Sequence, residues 1–250
     1  MHPVCFHIGE RAIYWYGVMM ALAFLAGMIN WWQLGRKEGR DWAFASDLAF
    51  WLMLAGILGA RTAYVISDWR YFLADPAQIL RIDQGGLIYY GGFIGATLVL
   101  AIMARVRHES FLGLCDFGIT SIPLGHALGR IGCFLNGCCY GTPTDLPWAV
   151  PVNGVLRHPI QLCEAALNLL IFFFLRALYR RGGKAGHVMG AYLVCYSVVR
   201  FLMEFGRGDE RLRWSAFTTA QWLSVFLLVV GLLLWCRSRA CHNEDKAVES

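Results

Sequence analysis

The segment GRIGCFLNGCCYG, residues 129–141, combines residue types that could bind an anionic ligand. Arg130 stands close to Gly129 and Gly132, and glycine lets a backbone or a ligand approach closely. A guanidinium in that setting suits a phosphate group, which it can bind through two parallel hydrogen bonds. The segment therefore predicts a phosphate-binding arginine; the alternative is that Arg130 only contacts lipid headgroups nonspecifically.

A second group of polar residues lies in the segment CYSVVRFLMEFGRGDE. Tyr196, Arg200 and Glu204 are spaced four apart, so on a helix they share one face. Arg207 and Asp209 follow at the end of the segment. A charged side chain inside a membrane is costly unless it is paired or hydrated, which makes each one a candidate functional residue. The alternatives are a structural ion pair or long side chains that reach the membrane interface.

Two further segments place polar residues at predicted helix starts. QGGLIYYGG, residues 84–92, sets Tyr89 and Tyr90 between two glycine pairs, although tyrosines at a membrane interface are commonly anchors. RHPIQLCE places His158 and Glu164 around a proline that suits a helix beginning. His158 could transfer a proton or make a structural hydrogen bond.

The composition predicts an all-α membrane protein that carries these residues. Of 250 residues, 58% are hydrophobic and 16% are charged, which is too apolar for an ordinary soluble domain. Several apolar stretches reach the roughly 20 residues that cross about 30 Å of hydrocarbon, and a β-barrel would show short alternating segments instead. We expect one transmembrane domain, residues 1–240, and a short tail, residues 241–250. Basic loops account for the net charge of +5, so no nucleic-acid partner is expected.

About seven transmembrane helices are predicted. The first apolar run is long and has neither a basic leader nor a cleavage motif, so it is read as a retained helix rather than a signal peptide. The predicted spans are Ala12–Trp32, Ala43–Ile66, Leu87–Ala104, Phe111–Leu128, Ile160–Tyr179, Gly186–Phe205 and Thr219–Cys236.

The distribution of basic residues predicts the orientation of these spans. One set of loops carries twelve Lys and Arg residues and the alternate set carries eight, with two arginines inside spans. The richer side is expected in the cytoplasm. The N-terminus is therefore predicted outside and the tail inside, which places residues 129–141 and the segment after Glu204 at the outer side.

Six ordered motifs resemble those of the prolipoprotein diacylglyceryl transferase family, over nearly the whole chain. The motifs are YWYG, GGLIYYGGFIGA, GRIGCFLNGCCYG, RHPIQLCE, YSVVRFLMEFGR and TTAQWLS. The third resembles a signature commonly written G-R-x-G-N-F-x-N-x-E-x-x-G. Together the six motifs and the seven spans are much more specific than any one motif.

The resemblance implies transfer of diacylglyceryl from phosphatidylglycerol to the lipobox cysteine of a prolipoprotein signal peptide, in the bacterial inner membrane and without a cofactor. The substrate thiolate attacks the glycerol carbon that carries the phosphate, and glycerol phosphate leaves. Arg130 and Arg200 match the family's arginines and would stabilise the departing phosphate. Other matched positions are Tyr16, Tyr196 and Glu204 as catalytic candidates, and Asn136, Gly141, Gly91 and Gly92 as lipid-binding candidates.

The chain departs from the family pattern where a proton acceptor is expected. Tyr90 occupies the position of the family histidine, and a phenol keeps its proton at neutral pH. Glu204 stands four residues from Arg200, which should hold it ionised and weakly basic. We therefore expect His158 to take the thiol proton, because imidazole is the usual acceptor near pH 7, with His126 as a further candidate. Tyr90 is expected to donate a hydrogen bond to the lipid.

Three cysteines also replace or adjoin polar signature positions, and three explanations stay open. Cys133 stands for the signature asparagine and Cys138 for the glutamate, with Cys139 next to it. They could be simple substitutions in a polar network. Alternatively, Cys133 could form a disulfide with Cys138 or with Cys139, because disulfides persist outside the cytoplasm. A metal site is the third explanation, but C-x4-C-C has no convincing fourth ligand, so no metal is expected.

Two other functions compete with the transferase. The chain could be a family paralogue that binds anionic phospholipid, or transfers from it to another acceptor, without acting on prolipoproteins. It could also be a thiol-redox membrane protein built around the three cysteines.

Overall fold

A computed structural model describes residues 3–82, 85–152, 154–208, 213–214 and 216–248, and their backbone is mostly helical. Asp209 and Gln84, singled out above, lie outside this range. The helices are α1 (Trp15–Gly35), α2 (Trp42–Ser67), α3 (Trp69–Ala74), α4 (Tyr89–Val106), α5 (Phe111–Ile119), α6 (Ile122–Asn136), α7 (Ile160–Arg180), α8 (His187–Glu204) and α9 (Thr219–Val248). The strands β1 (Val4–Ile8), β2 (Arg11–Tyr14), β3 (Val150–Val152), β4 (Val155–Arg157), β5 (Arg213–Trp214) and β6 (Phe217–Thr218) pair as three antiparallel hairpins.

The chain is a multi-pass membrane protein, as the composition predicted. Within the described residues, six helical segments are long and apolar enough to cross a membrane. The predicted sixth span is the helix α8, which falls outside this set; its Arg200 and Glu204 make it less apolar than the others. The helix α9 continues to Val248, into the residues predicted as a tail.

Two predicted span boundaries were wrong. Residues 12–14 belong to β2, and the first helix begins only at Trp15, because apolar composition alone does not separate a strand from a helix. The predicted fourth span lies within the apolar segment Phe111–Asn136, one of these six, which consists of two helices, α5 and α6, separated at Thr120 and Ser121. Pro123 lies in the first turn of α6, where its missing N–H costs nothing. The helix α6 then continues past the predicted end to Asn136, so Arg130 and Cys133 are helical residues.

The described chain falls into two compact units, and the first comprises Met1–Leu34 and Cys115–Ser250. Its helices α8 and α9 approach closely: a Cβ added to Gly190 would lie 2.8 Å from the backbone nitrogen of Trp235 and 3.0 Å from the backbone oxygen of Gly231. Small residues permit such close helix contacts in membranes.

A carboxylate from the predicted fourth span fixes the start of α8. The side chain of Asp116 accepts hydrogen bonds from the backbone N–H groups of Gly186 and Met189, each at 2.7 Å. These donors belong to the first turn of the helix, where no intrahelical partner exists. The hydrogen bonds to the start of α8 thus offset the energetic cost of placing an acidic side chain in an apolar span, and Asp116 has a structural role.

The second unit, Gly35–Leu114, is built around the packing of α4 on α2. A Cβ added to Gly92 would lie 2.9 Å from the Gly56 oxygen and 3.4 Å from Ala60 Cβ. Gly91 is packed against Gly59 even more tightly. The glycine pair after Tyr90 therefore lets two helices touch along their backbones, a role that needs no bound lipid.

Arg61 organises the loop that leads into α4. Its guanidinium donates hydrogen bonds to five backbone oxygens at 2.5–3.1 Å, those of Gln78, Ile79, Arg81, Gly85 and Gly86. Its side chain also stacks over the rings of Tyr64 and Phe72. The buried guanidinium of Arg61 thus provides hydrogen-bond donors for five backbone carbonyl groups of the loop that precedes Tyr89 and Tyr90.

We expect Arg61→Gln to destabilise this unit by about 3 kcal/mol, because several buried carbonyl groups lose a charged donor. The change should lower the melting temperature in detergent and open residues 76–88 to protease. Arg70→Gln is the matched control, since Arg70 is exposed and stacks only on Trp69; it should stay within about 0.5 kcal/mol of the parent. Equal stability of the two variants would contradict the role given to Arg61.

Candidate active site

Three helices of the first unit bring the predicted arginines to one carboxylate. Arg130 comes from α6, Arg200 from α8 and Glu164 from α7. Arg130 Nε forms an ion pair with Glu164 Oε2, and Arg200 Nη1 lies 3.9 Å from Glu164 Oε1. Arg207, just after α8, lies 3.6 Å from the same oxygen. We call Arg130, Arg200, Arg207, Glu164 and Glu204 the arginine–glutamate cluster.

Glu164 is the site residue that the sequence analysis did not select. Its side chain is 4% exposed and contacts three guanidinium groups. The signal was present, because an ionisable residue in an apolar helix is a candidate functional group by default.

Glu204 is held at both carboxylate oxygens. Oε2 lies 2.7 Å from Arg200 Nη1, one helical turn away, and Oε1 accepts a hydrogen bond from Thr218 Oγ1 at 2.8 Å. Thr218 is itself fixed by Gln221, whose side chain accepts from the Thr218 N–H at 3.0 Å. The TTAQWLS motif at the start of α9 therefore orients Glu204.

The three arginines of the cluster differ in how far their side chains are exposed. The side chains of Arg130 and Arg200 are 16% and 14% exposed, whereas that of Arg207 is 1% exposed. Arg130 and Arg200 are therefore the more exposed cations of the cluster. With three guanidinium groups and two carboxylates, the cluster carries one net positive charge, which suits a singly charged phosphodiester.

The tyrosines predicted at the site occupy two different settings. The ring of Tyr196 stacks between His126 and Tyr192, with centroid distances of 5.3 Å and 5.5 Å. Tyr16 is the second residue of α1 and is 43% exposed. Its ring packs on α6, since a Cβ added to Gly132 would lie 3.3 Å from Tyr16 Cδ2. The ring therefore lies on the part of α6 that carries Arg130 and Cys133.

The three cysteines of the signature segment meet in space. Their Sγ atoms all lie within 4.8 Å of one another, and each is a free, half-buried thiol. Cys139 lies after the end of α6, and a hydrogen bond from Cys133 together with the Arg207 guanidinium lowers the pKa of the Cys139 thiol. We call Cys133, Cys138 and Cys139 the thiol cluster.

Gly141 and Asn136 occupy the loop that follows. A Cβ added to Gly141 would lie 2.6 Å from the His158 oxygen and 3.1 Å from the Gly206 oxygen. Gly141 pairs with Arg207 as an isolated β-bridge, so only glycine fits between these two segments. Asn136, predicted with Gly141 to bind lipid, is the exposed last residue of α6.

The predicted proton acceptor His158 is engaged by a tryptophan. Trp148 Nε1 donates a hydrogen bond to His158 Nδ1 at 3.2 Å. A neutral imidazole has one acceptor nitrogen, so this bond places the imidazole hydrogen on Nε2. His158 can take a proton at Nδ1 only after Trp148 moves away.

The remaining predicted residues lie in the second unit. Tyr90 is 65% exposed at the start of α4, beside the 78% exposed Tyr89. Gly91 and Gly92 follow in the same helix and pack against α2, as described above.

Comparison with known proteins agrees with the motifs. Residues 3–237 match the family model described as prolipoprotein diacylglyceryl transferase. Proteins named phosphatidylglycerol–prolipoprotein diacylglyceryl transferase from Clostridium tetani, Cupriavidus metallidurans and Vibrio vulnificus are 34%, 35% and 36% identical to this chain. The three alignments cover 94%, 95% and 98% of this chain and 97%, 94% and 94% of those proteins.

Proposed function

Since the chain belongs to the prolipoprotein diacylglyceryl transferase family, we propose that it transfers the diacylglyceryl group of phosphatidylglycerol to a prolipoprotein. The acceptor is the lipobox cysteine thiol of the signal peptide, and the products are a thioether and glycerol phosphate. The site faces the outer side of the bacterial inner membrane. One observation carries this proposal: Arg130 and Arg200, from different helices, meet at the single carboxylate of Glu164.

In this proposal the arginine–glutamate cluster stabilises the leaving group, glycerol phosphate. Negative charge grows on the phosphate oxygen as its bond to the glycerol carbon breaks, and fixed cations stabilise that charge without reorganising. Arg130 and Arg200 are the partly exposed cations of the cluster. Glu164 and Glu204 hold them in place, and Arg207 balances Glu164 from the buried side.

The other predicted residues are assigned to binding and positioning. Tyr16 is 43% exposed and packs on α6 at Gly132, two residues from Arg130, so its hydroxyl is available to hydrogen-bond a lipid oxygen. Tyr196 holds the face of α8 that carries Arg200 through its ring contacts. Asn136 is exposed at the end of α6 and available to a headgroup. We further propose that Tyr90, exposed at the start of α4, donates a hydrogen bond to a lipid.

The test of the proposed function is restoration of growth in a strain depleted of its own transferase, together with release of glycerol phosphate from phosphatidylglycerol by the purified protein. Both are expected. Binding of phosphatidylglycerol without glycerol phosphate release, and without complementation, would assign the chain to the lipid-binding alternative instead. Exchange of disulfides with no lipid turnover would favour the thiol-redox alternative.

The orientation proposed is an outside N-terminus and a cytoplasmic tail, from the twelve-to-eight distribution of Lys and Arg. A reporter that works only in the cytoplasm should be active when it is fused after Cys241. A reporter that works only outside the cytoplasm should be inactive at the same position. The reverse pattern would place residues 129–141 at the inner side, away from the proposed site of reaction.

We propose His158 as the group that takes the thiol proton, once the hydrogen bond from Trp148 to Nδ1 breaks. His158→Gln should then lower glycerol phosphate release about a hundredfold at pH 7. Tyr90→Phe should stay within about tenfold, because a phenol is protonated at that pH. Trp148→Phe is a control that frees Nδ1 and should retain activity. An inactive Tyr90→Phe enzyme beside an unaffected His158→Gln enzyme would give the role to the tyrosine.

A further inference from the structure

The thiol cluster has the composition of a metal site. Three cysteine sulfurs lie within 4.8 Å of one another and come from one short segment, residues 133–139. Thiolates are the ligands that select zinc and other soft cations in proteins. Zinc–sulfur bonds of about 2.3 Å place the sulfurs of a tetrahedral site roughly 3.8 Å apart. The cluster therefore needs only a small contraction to hold one zinc ion.

The backbone of this segment is bent in a way that brings the sulfurs together. The helix α6 ends at Asn136, and Gly137 follows with a φ of +74°. Cys139 also has a positive φ, +58°, although it is not glycine. Side chains of adjacent residues in extended backbone point to opposite sides, so the left-handed turn at Cys139 is what places its sulfur beside that of Cys138. A left-handed conformation at a non-glycine residue costs energy and is concentrated at functional sites.

We propose that Cys133, Cys138 and Cys139 bind one zinc ion and leave its fourth coordination position to the substrate thiol. This proposal rests on the proposed function. Three protein ligands with one open position are the arrangement of catalytic zinc, whereas structural zinc has four protein ligands. The fourth ligand that C-x4-C-C lacks is thus supplied by the lipobox cysteine. The thiols are only half-buried, so the open position is within reach of a substrate.

The surrounding charges balance such a site. Three thiolates and a divalent cation carry one net negative charge. Arg130 lies three residues before Cys133 on α6, and Arg207 pairs with Gly141, two residues after Cys139. The same two arginines belong to the arginine–glutamate cluster, so the zinc ion would lie near Arg130, one of the two phosphate-binding cations.

Zinc would make the substrate thiol easier to deprotonate, which matters because Glu204 is paired with Arg200 and His158 Nδ1 is engaged by Trp148. A thiol bound to zinc gives up its proton at neutral pH, and the proton passes to His158 once Trp148 moves away. The zinc-bound sulfur then forms a bond to the glycerol carbon that carries the phosphate. The carbon–oxygen bond breaks, its electron pair leaves with glycerol phosphate, and the neutral thioether, a weak ligand, dissociates from zinc.

Metal content tests the proposal directly. Protein purified in detergent micelles with a reductant, and passed through zinc-free buffer, should contain about one zinc per chain by mass spectrometry. Cobalt in its place should give the near-ultraviolet absorption of a thiolate–cobalt bond. Cys133→Ser, Cys138→Ser and Cys139→Ser should each lose most of the zinc. Cys236→Ser is the matched control, because Cys236 is an exposed thiol on α9, and it should keep both zinc and activity.

Activity separates this proposal from the proposed function. A strong chelator should lower glycerol phosphate release at least about a hundredfold, and added zinc should restore it. Release that continues in zinc-free protein would overturn the zinc site and leave the transferase intact. Zinc bound at the three cysteines without any release from phosphatidylglycerol would overturn the transferase and leave the metal site. Thiols that react with maleimide only after reduction would overturn the zinc site in favour of a disulfide.

Discussion

Arg130→Ala and Arg200→Ala are each expected to lower glycerol phosphate release on the order of a hundredfold, with the protein still inserted and folded. The reason is that each removes one of the two partly exposed cations at Glu164. Loss of one preorganised stabiliser of transition-state charge typically costs about 3 kcal/mol. The measurement is release from phosphatidylglycerol in detergent micelles, with the melting temperature as a check on folding.

Lysine at either position should restore little activity. Its ammonium is a point charge and cannot bind two oxygens in the forked geometry of a guanidinium. Arg180→Ala is the matched control, because Arg180 is exposed at the far end of α7, and it should keep parental activity. If both alanine variants released glycerol phosphate at near-parental rates, the phosphate would be stabilised elsewhere in the protein.

The arginines could be predicted from the sequence for two reasons. Residues spaced four apart share one helix face, and a charged side chain in an apolar helix is energetically costly. Both features are visible within a short stretch of sequence. Tyr196, Arg200 and Glu204 do lie on α8 at spacings of one turn, and Arg200 does contact Glu204. The family and the mostly helical membrane fold followed from ordered motifs and from composition in the same way. Such features need no knowledge of which helices become neighbours.

The partners of these arginines could not be predicted, because they depend on tertiary contacts. Glu164 becomes the centre of the cluster only when α6, α7 and α8 converge. Gly91 and Gly92 are predicted to bind lipid, and their neighbours on α2 show in addition a packing role that no local pattern reveals. The thiol cluster also depends on a left-handed turn at Cys139, which the sequence does not signal.

The last prediction concerns Glu164 itself. Glu164→Gln should destabilise the first unit by about 3–5 kcal/mol, because it removes the carboxylate that three guanidinium groups share at a buried position. The measurement is the melting temperature in detergent. The matched control is Glu109→Gln, which breaks a more exposed pair with Arg40 and should cost at most about 1 kcal/mol.

Two further measurements test whether the stability of Glu164→Gln depends on the arginines that are proposed to bind phosphate. Arg207→Gln added to Glu164→Gln should recover part of the lost stability, because it removes the most buried of the three cations. Phosphatidylglycerol in the micelles should raise the melting temperature of Glu164→Gln more than that of the parent, since its phosphate can replace the missing negative charge at Arg130 and Arg200. Phosphatidylethanolamine, with no net charge, should do so less. A variant as stable as the parent, or one that responds equally to both lipids, would mean that the arginines do not share Glu164 in the membrane and do not form the phosphate site.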